Sequence, residues 1–389
     1  MRYPLLLALI FWSGSALALC KNVNLYEIKD SPLAKIPVYD QDGTGTCYAY
    51  TASQLLNYHL LKNKHATTMK VHPAWAATNY AVENFRSSTE GGFMDAAIKS
   101  LQKIPSHCSY ESVSKTLRDF GLSAGLSEPN VLAFLEAYAK NYVELKYKPK
   151  PLTLTAIDNT RVYMNPMYTR IKEKDKERML AEEAFRKTEM EMKNTCDIPG
   201  LDKLESEVIN SLSNNIARIL KSNFFEECKK NKLLQFSLPK LSSQNLWGKM
   251  DLNDKNLSKV LDENLASQTP AGISYCTGFL ADKTKVFQKD VMINMRVYRR
   301  AEPGCGMHAS VVVGSRKTIT NSCEYLVKNT WGSRYWYKHG TCYCEHKKTG
   351  KKVASCKKET HPLKDYQVLG CWIDSKQLVP NMSDITVVK

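Results

Sequence analysis

Beyond its N-terminus the chain has no run long and apolar enough to cross a bilayer, which excludes a bundle of membrane-spanning helices. It has no internal repeat and no low-complexity segment, so a solenoid or a long biased tail is also excluded. Negative charge is in short supply, with 39 Asp and Glu against 55 Lys and Arg and a net charge of +16. That deficit favours anionic partners such as nucleic acid, acidic polymers or an anionic membrane surface. The lysines, however, are spread along the chain. A dispersed basic surface is the plainer reading, and no nucleic acid is expected; contact with an anionic cell surface is compatible with it. The one dense cluster, residues 346–352, reads as a hairpin tip.

The 389 residues are too many for one ordinary core and predict two packed lobes or a core with an insertion. Hydrophobic residues at 43% and charged residues at 24% fall in the range of globular proteins that bury a real core. The first eighteen residues read as a signal peptide. Arg2 supplies the positive charge, Pro4 to Trp12 the apolar stretch, and Ala16 and Ala18 the small residues before a cut after Ala18. The mature protein is expected to be secreted or periplasmic. A lipoprotein with Cys20 acylated is the weaker alternative, because Leu19 is bulky where such sites want a small residue.

Twelve cysteines in an exported chain predict disulfides. His339, Cys342, Cys344 and His346 have a spacing that could hold zinc. An oxidising compartment favours instead a hairpin bridge from Cys342 or Cys344 to Cys356, and no metal or cofactor is expected. Asn256-Leu257-Ser258 and Asn381-Met382-Ser383 match the glycosylation triplet, which also arises often by chance. Met292 and Met295 read as packing residues.

Texture changes along the chain. A polar segment with two prolines runs from Lys21 to Tyr39. Ala49, Ala52, Leu56 and Leu60 predict a helix from Cys47 to about Leu61, and a second follows the Gly91-Gly92 break at Asp95–Leu101. Residues from about 109 to 252 read as mostly helical. Leu204, Val208, Leu212, Ile216 and Leu220 form an apolar stripe after a Pro199-Gly200 break. Before the break, Glu182–Arg186, Glu183–Lys187 and Glu189–Lys193 suit an exposed, solvated helix. Thereafter short apolar runs at 271–275, 310–313, 325–327 and 368–373, punctuated by turn residues, predict a β-rich part.

The stretch from Gln41 to Tyr50 delivers a cysteine, on a Gly/Thr loop, to the first turn of a helix. A helix N-terminus favours negative charge, so the Cys47 thiol is expected to have a lowered pKa. If the loop folds back, the Gln41 amide can meet the Cys47 N–H at one oxygen, forming an oxyanion hole. Of eight histidines, His308 stands out because it opens the apolar run Ala309 to Val313. A histidine at the mouth of a buried strand is held rigidly and still reaches a cleft. Downstream, Tyr325 to Lys328 reads as a strand ending at Asn329-Thr330-Trp331-Gly332. Asn329 can accept from the imidazole N–H and fix its tautomer. Trp331 can shield that bond from water. The competing reading of Cys47 is a structural half-cystine, and of His308 a core histidine.

Gln41 to Tyr50 resembles the Q-G-x-C-G-S-C-W-A-F segment of the papain-like cysteine peptidases. Met307-His308-Ala309 with its valines is similar to their H-A-V strand, and Lys328 to Gly332 to their K-N-S-W-G. The resemblance implies Cys47, His308 and Asn329 as catalytic residues and Gln41 as oxyanion donor. Gly91 and Gly92 resemble the glycine pair that binds extended substrate. Trp331 is placed with them at the substrate cleft. Thr44 stands where the family has a disulfide cysteine, and Tyr48 replaces its Trp. Cys47 and His308 are 261 residues apart, against roughly 130–150 for the papain-type signature. The excess matches the helical middle. Only about twenty residues separate Ala18 from Gln41, which is too few for the family's N-terminal propeptide, so the insertion is expected to restrain or shape the cleft instead.

The expected fold is α+β, papain-like and two-lobed. It comprises a signal peptide at 1–18, a helical lobe with the nucleophile at 19–109, a helical insertion at 110–255, and a β-rich lobe with His and Asn at 256–389. The expected function is a secreted cysteine peptidase acting on peptides or proteins. The alternatives are a catalytically silent relative used as a peptide-binding or scaffold protein, and an amidase acting on cell-wall peptides.

Overall fold

The computed structural model describes residues 20–41, 44–84, 86, 89–104, 107–123, 216–230, 238, 243–245, 253–293, 296–333 and 335–388. The expected signal peptide, the charged stretch at 182–193, the Pro199-Gly200 break, Met295 and the stripe from Leu204 to Leu212 lie outside them.

The architecture is α+β, with helices packed on an antiparallel sheet. In chain order the strands are β1 (Val23–Asn24), β2 (Ser243–Asn245), β3 (Ala271–Cys276), β4 (Gln288–Ile293), β5 (Arg296–Ala301), β6 (Met307–Lys317), β7 (Cys323–Lys328), β8 (Cys342–His346), β9 (Lys352–Cys356), β10 (Tyr366–Asp374) and β11 (Met382–Val388). The main sheet runs β2-β11-β3-β6-β7-β10-β8-β9, with β1 also paired to β6, while β4 and β5 form a separate hairpin. The helices are α1 (Cys47–Lys62), α2 (Pro73–Glu83), α3 (Met94–Gln102), α4 (Tyr110–Ser123), α5 (Ile216–Lys230), α6 (Asp254–Ala266), α7 (Gly278–Ala281) and α8 (Ser375–Leu378). None of those described is long and apolar enough to cross a membrane.

Helix α1 is the hub. It packs on α2, α3, β3, β6 and β11. Twelve of its sixteen residues are buried, so it has no solvent face. Several of its polar side chains bond internally. Ser53 Oγ donates to Val71 O at 2.6 Å, and Asn57 Nδ2 to the same oxygen at 2.8 Å. Tyr58 OH donates to Gln268 O at 2.9 Å. Helix α2 starts with Pro73 after the His72 cap, whose Nδ1 accepts from Ala74 N at 3.1 Å. It is buried from Pro73 to Ala81, which is why no amphipathic stripe announces it in the sequence.

Among the described residues, four disulfides join Cys20–Cys323, Cys276–Cys305, Cys342–Cys371 and Cys344–Cys356. The last is the expected hairpin bridge, and the set tells against two of the weaker alternatives. Cys20 is a half-cystine and not an acylated N-terminus. Cys342 and Cys344 each spend their sulfur in a bridge, so the zinc spacing around them is coincidental. Met292 is 75% exposed, not packed; it lies on the β4–β5 hairpin, which forms a sheet of its own. Asn381 is 1% exposed; its Oδ1 accepts from Phe287 N and its Nδ2 donates to Gln377 O, which leaves no room for a glycan.

Lys328, on β7, is fully buried. Its Nζ donates to Pro37 O at 2.9 Å, and burial pulls its pKa down to about 7. The unfolded chain holds that proton to about pH 10. Between pH 7 and 9 the unfolded state therefore binds more protons, and this residue's contribution to stability rises with pH. Urea denaturation should show wild type gaining on Lys328→Met between pH 7 and 9; a pH-independent difference would contradict the depressed pKa.

Candidate active site

Two segments far apart in sequence are stitched together. Gln41 N donates to Thr330 O at 2.8 Å and Gly332 N to Tyr39 O at 2.9 Å, while Asp40 and Trp331 form an antiparallel bridge. Gly332 has φ +80°, and a Cβ there would fall 2.6 Å from Asp40 Oδ2. Only glycine suits both the turn and this close approach.

From that stitch the chain passes to Cys47, the first residue of α1. Hydroxyls hold the loop. Thr44 Oγ1 donates to Gln41 O at 2.6 Å and lies 2.7 Å from Thr46 Oγ1. Gly45 O accepts from Gly91 N at 2.7 Å, which brings the glycine pair beside the cysteine loop. A Cβ on Gly92 would fall 2.5 Å from Tyr80 Cε1 and 2.7 Å from Tyr48 Cε2. The rings of Tyr48 and Tyr80, 4.9 Å apart, thus pack directly under the pair. Tyr48 OH donates to Thr89 O at 2.8 Å, so Tyr48 anchors the adjoining loop.

The imidazole comes from the sheet. His308 is the second residue of β6, opposite Tyr275 of β3, and it is buried. Its Nε2 lies 2.7 Å from Asn329 Oδ1, just past the end of β7. The amide oxygen can only accept, so Nε2 carries the hydrogen and Nδ1 is the free base. Asn329 Oδ1 also accepts from Thr330 N at 2.7 Å, which fixes the amide. Trp331 stacks on the imidazole with centroids 4.3 Å apart, Tyr335 meets Trp331 edge-on at 4.8 Å, and Tyr275 meets His308 edge-on at 5.6 Å. Tyr275 OH is 3.1 Å from Ser310 Oγ.

Cys47 is a free thiol and half-buried, so the half-cystine reading fails. Its pKa shift corrects the sequence expectation. Burial pushes the thiol up, while the backbone N–H groups of Ala309, Tyr48 and Cys47 itself oppose that shift. The helix N-terminus acts in the expected direction and loses to desolvation. Ala309 directly follows His308, so the Cys47 sulfur sits beside the strand that carries the imidazole. Burial lowers His308 to about 4 against the opposing Asn329 bond. Burial thus works against the charged form of each group taken singly.

Gln41 is more occupied than its sequence position suggested. Its Nε2 donates to Thr44 O at 2.7 Å, and its Oε1 accepts from Thr330 Oγ1. One of its two amide hydrogens is thereby committed within the loop. Cys47, His308, Asn329, Trp331, Gln41, Gly91 and Gly92 are all gathered in this one region. Sequence reasoning missed Tyr275, Tyr335, Thr330 and the Ala309 N–H. Tyr275 and Tyr335 lie there through strand register and loop packing, which no local motif encodes, while Thr330 and Ala309 stood within the quoted motifs without a role assigned to them. A cavity of about 480 Å³, lined by Tyr58, His59, Lys62, Glu263 and Thr269 among others, opens at the far end of α1. It stands roughly 20 Å along the helix from Cys47 and takes no part in this site.

No family model matches the chain, and no curated protein matches it. Among solved structures it is similar to the Amb a 11 cysteine protease, a major ragweed pollen allergen, in its proform, at 11% identity and a TM-score of 0.37. That match covers 95% of this chain and 66% of the other.

Alkylation of Cys47 by iodoacetamide at pH 6, followed by peptide mapping, reads the coupling of thiol and imidazole. His308→Ala should slow it at least about tenfold and Asn329→Ala by less. Equal rates in all three proteins would show that Cys47 does not use His308.

Proposed function

We propose that the protein is a secreted papain-like cysteine peptidase that cleaves peptide bonds through Cys47, His308 and Asn329. The observation that carries this reading is the 2.7 Å Nε2–Asn329 contact under the stacked Trp331, on the strand whose Ala309 N–H meets the Cys47 sulfur. A tautomer held this way leaves Nδ1 to take a proton, and a free thiol beside the strand is the group to give it. Residues 1–18 then act as the signal peptide, 19–109 and 256–389 as the two lobes, and 110–255 as an insertion that shapes or restrains the cleft.

In the reaction Nδ1 of His308 takes the Cys47 proton. Charging either group alone is costly in this buried setting, but proton transfer creates opposite charges together, and their attraction offsets the cost. The thiolate attacks the substrate carbonyl carbon, and its π electrons move to the oxygen. The Cys47 N–H and the uncommitted Gln41 N–H stabilise that oxyanion. The imidazolium protonates the leaving amine as the C–N bond breaks. Neutral His308 then takes a proton from water, which attacks the thioester; the acid departs and the Cys47 thiol is restored. Gly91 and Gly92 offer backbone groups to an extended peptide, and Trp331 walls the cleft.

A second reading is a catalytically silent peptide-binding relative. The bond from Gln41 to Thr44 O favours it, since it takes up half of the proposed oxyanion donor. Hydrolysis of a mixed fluorogenic peptide library under mild reduction, beside Cys47→Ala, separates the two. Activity is expected in wild type, falling by about 10³-fold or more in the variant. Absence of hydrolysis in wild type, with Cys47 inert to a thiol-directed epoxide, would establish the silent reading. Cleavage confined to cell-wall peptides would redefine the enzyme as an amidase.

A further inference from the structure

Outside this site the helical layer holds a second pair of sulfurs. Cys108 precedes α4 and follows His107, whose Nδ1 accepts from the Trp75 indole at 3.2 Å. Cys228 lies in the last turn of α5. Each is about 1% exposed, in one apolar cluster with Trp75 and Phe224. The Cys108 sulfur is 3.3 Å from the carbonyl oxygen of Phe224, one helical turn before Cys228, so it faces the part of α5 that carries the second cysteine. The two thiols are within hydrogen-bond reach of each other, and burial together with this neighbour pushes the Cys108 thiol up. Helix α5 packs on α2 and α4, with the Phe224 and Trp75 rings 6.4 Å apart.

Apart from Cys47, every other described cysteine is already bridged. A chain oxidised to that extent has no reason to leave two facing sulfurs apart. We propose that Cys108 and Cys228 are a fifth disulfide pair, which pins α5 covalently to the layer formed by α2 and α4. The oxidant is an external disulfide, R–S–S–R. The Cys108 thiol, giving up its proton, attacks one of its sulfurs and expels R–S⁻. The Cys228 thiol, giving up its proton, then attacks the Cys108 sulfur of the mixed disulfide and expels the second R–S⁻. Two protein thiols are oxidised, one external disulfide is reduced, and the two protons end on the leaving thiolates. Exchange takes place before α5 docks. Afterwards the bond is sealed from water and from reductants, so mild reduction that keeps Cys47 a thiol leaves it intact. The bridge closes residues 109–227 into a loop whose two ends meet on the helical layer.

The test uses the full chain refolded with oxidised glutathione. It is denatured in iodoacetamide without reductant, digested, and mapped by mass spectrometry. The expected result is a linked peptide pair containing Cys108 and Cys228, with Cys47 and Cys196 alkylated. A second expectation is that Cys108→Ser/Cys228→Ser melts several degrees lower than wild type without reductant, and that wild type keeps its Tm in mild reductant when native. Alkylation of both Cys108 and Cys228, or linkage of either to Cys196, overturns the proposal. The mapping is done on wild type and stands whether or not the variant folds.

Discussion

The short antiparallel contact between residues 39–41 and 330–332 governs the geometry of the candidate site. Cys47 is fixed by the start of α1, His308 by β6, and Asn329 by the end of β7. Nothing in the helix alone sets the distance between them. The pairs Gln41 N–Thr330 O and Gly332 N–Tyr39 O do so, because they tie the loop leading into α1 to the loop leaving β7. Lys328 strengthens the tie from below through the Pro37 carbonyl. A buried lysine is costly, and a carbonyl-lined seat at this junction is what makes one tolerable.

The same junction explains the electrostatics. Stacking of Trp331 on His308, with Tyr275 and Tyr335 beside them, removes water from the imidazole. Desolvation then outweighs the Asn329 bond for His308, and outweighs three backbone N–H groups for Cys47. Burial opposes charging either group alone, and mutual attraction offsets that cost only when both groups charge at once. Lowering the thiol's pKa through the helix terminus alone is therefore the wrong description of this site. Proton transfer within the pair is the better one, and Asn329 serves it by holding the ring in one tautomer.

Much of this was legible in the sequence. The strand runs at 271–275, 310–313, 325–327 and 368–373 became β3, β6, β7 and β10, because apolar runs between turn residues have few alternatives. The helix at Cys47 was legible for its loop and spacing, though its apparent stripe was one side of a wholly buried rod. Helix α2 was not legible, since a helix buried all round has no period to detect. Disulfide partners were legible only in part: a hairpin bridge to Cys356 was expected from Cys342 or Cys344, and Cys344 makes it. Cys342 pairs instead with Cys371, its neighbour across β8 and β10, although the β8–β9 register sets Cys342 and not Cys344 opposite Cys356. Tyr275 illustrates the same limit, for its place beside His308 follows from the β3–β6 register alone.

The loop before Cys47 raises a last point. Hydroxyls, and no disulfide among the described residues, brace it: Thr44 to Gln41 O, Thr46 to Thr44, and Thr330 to Gln41. Each such bond contributes about 1 kcal/mol, less than a covalent bridge. Two of them close on Gln41 and the third ties Thr46 to Thr44, so together they hold the loop firmly all the same. Bracing by hydroxyls also changes what the loop responds to. A disulfide next to a nucleophilic cysteine is exposed to attack by that cysteine and to the reductant that keeps it active. Hydroxyls are indifferent to both. The candidate nucleophile can thus be kept reduced without loosening the loop that positions it.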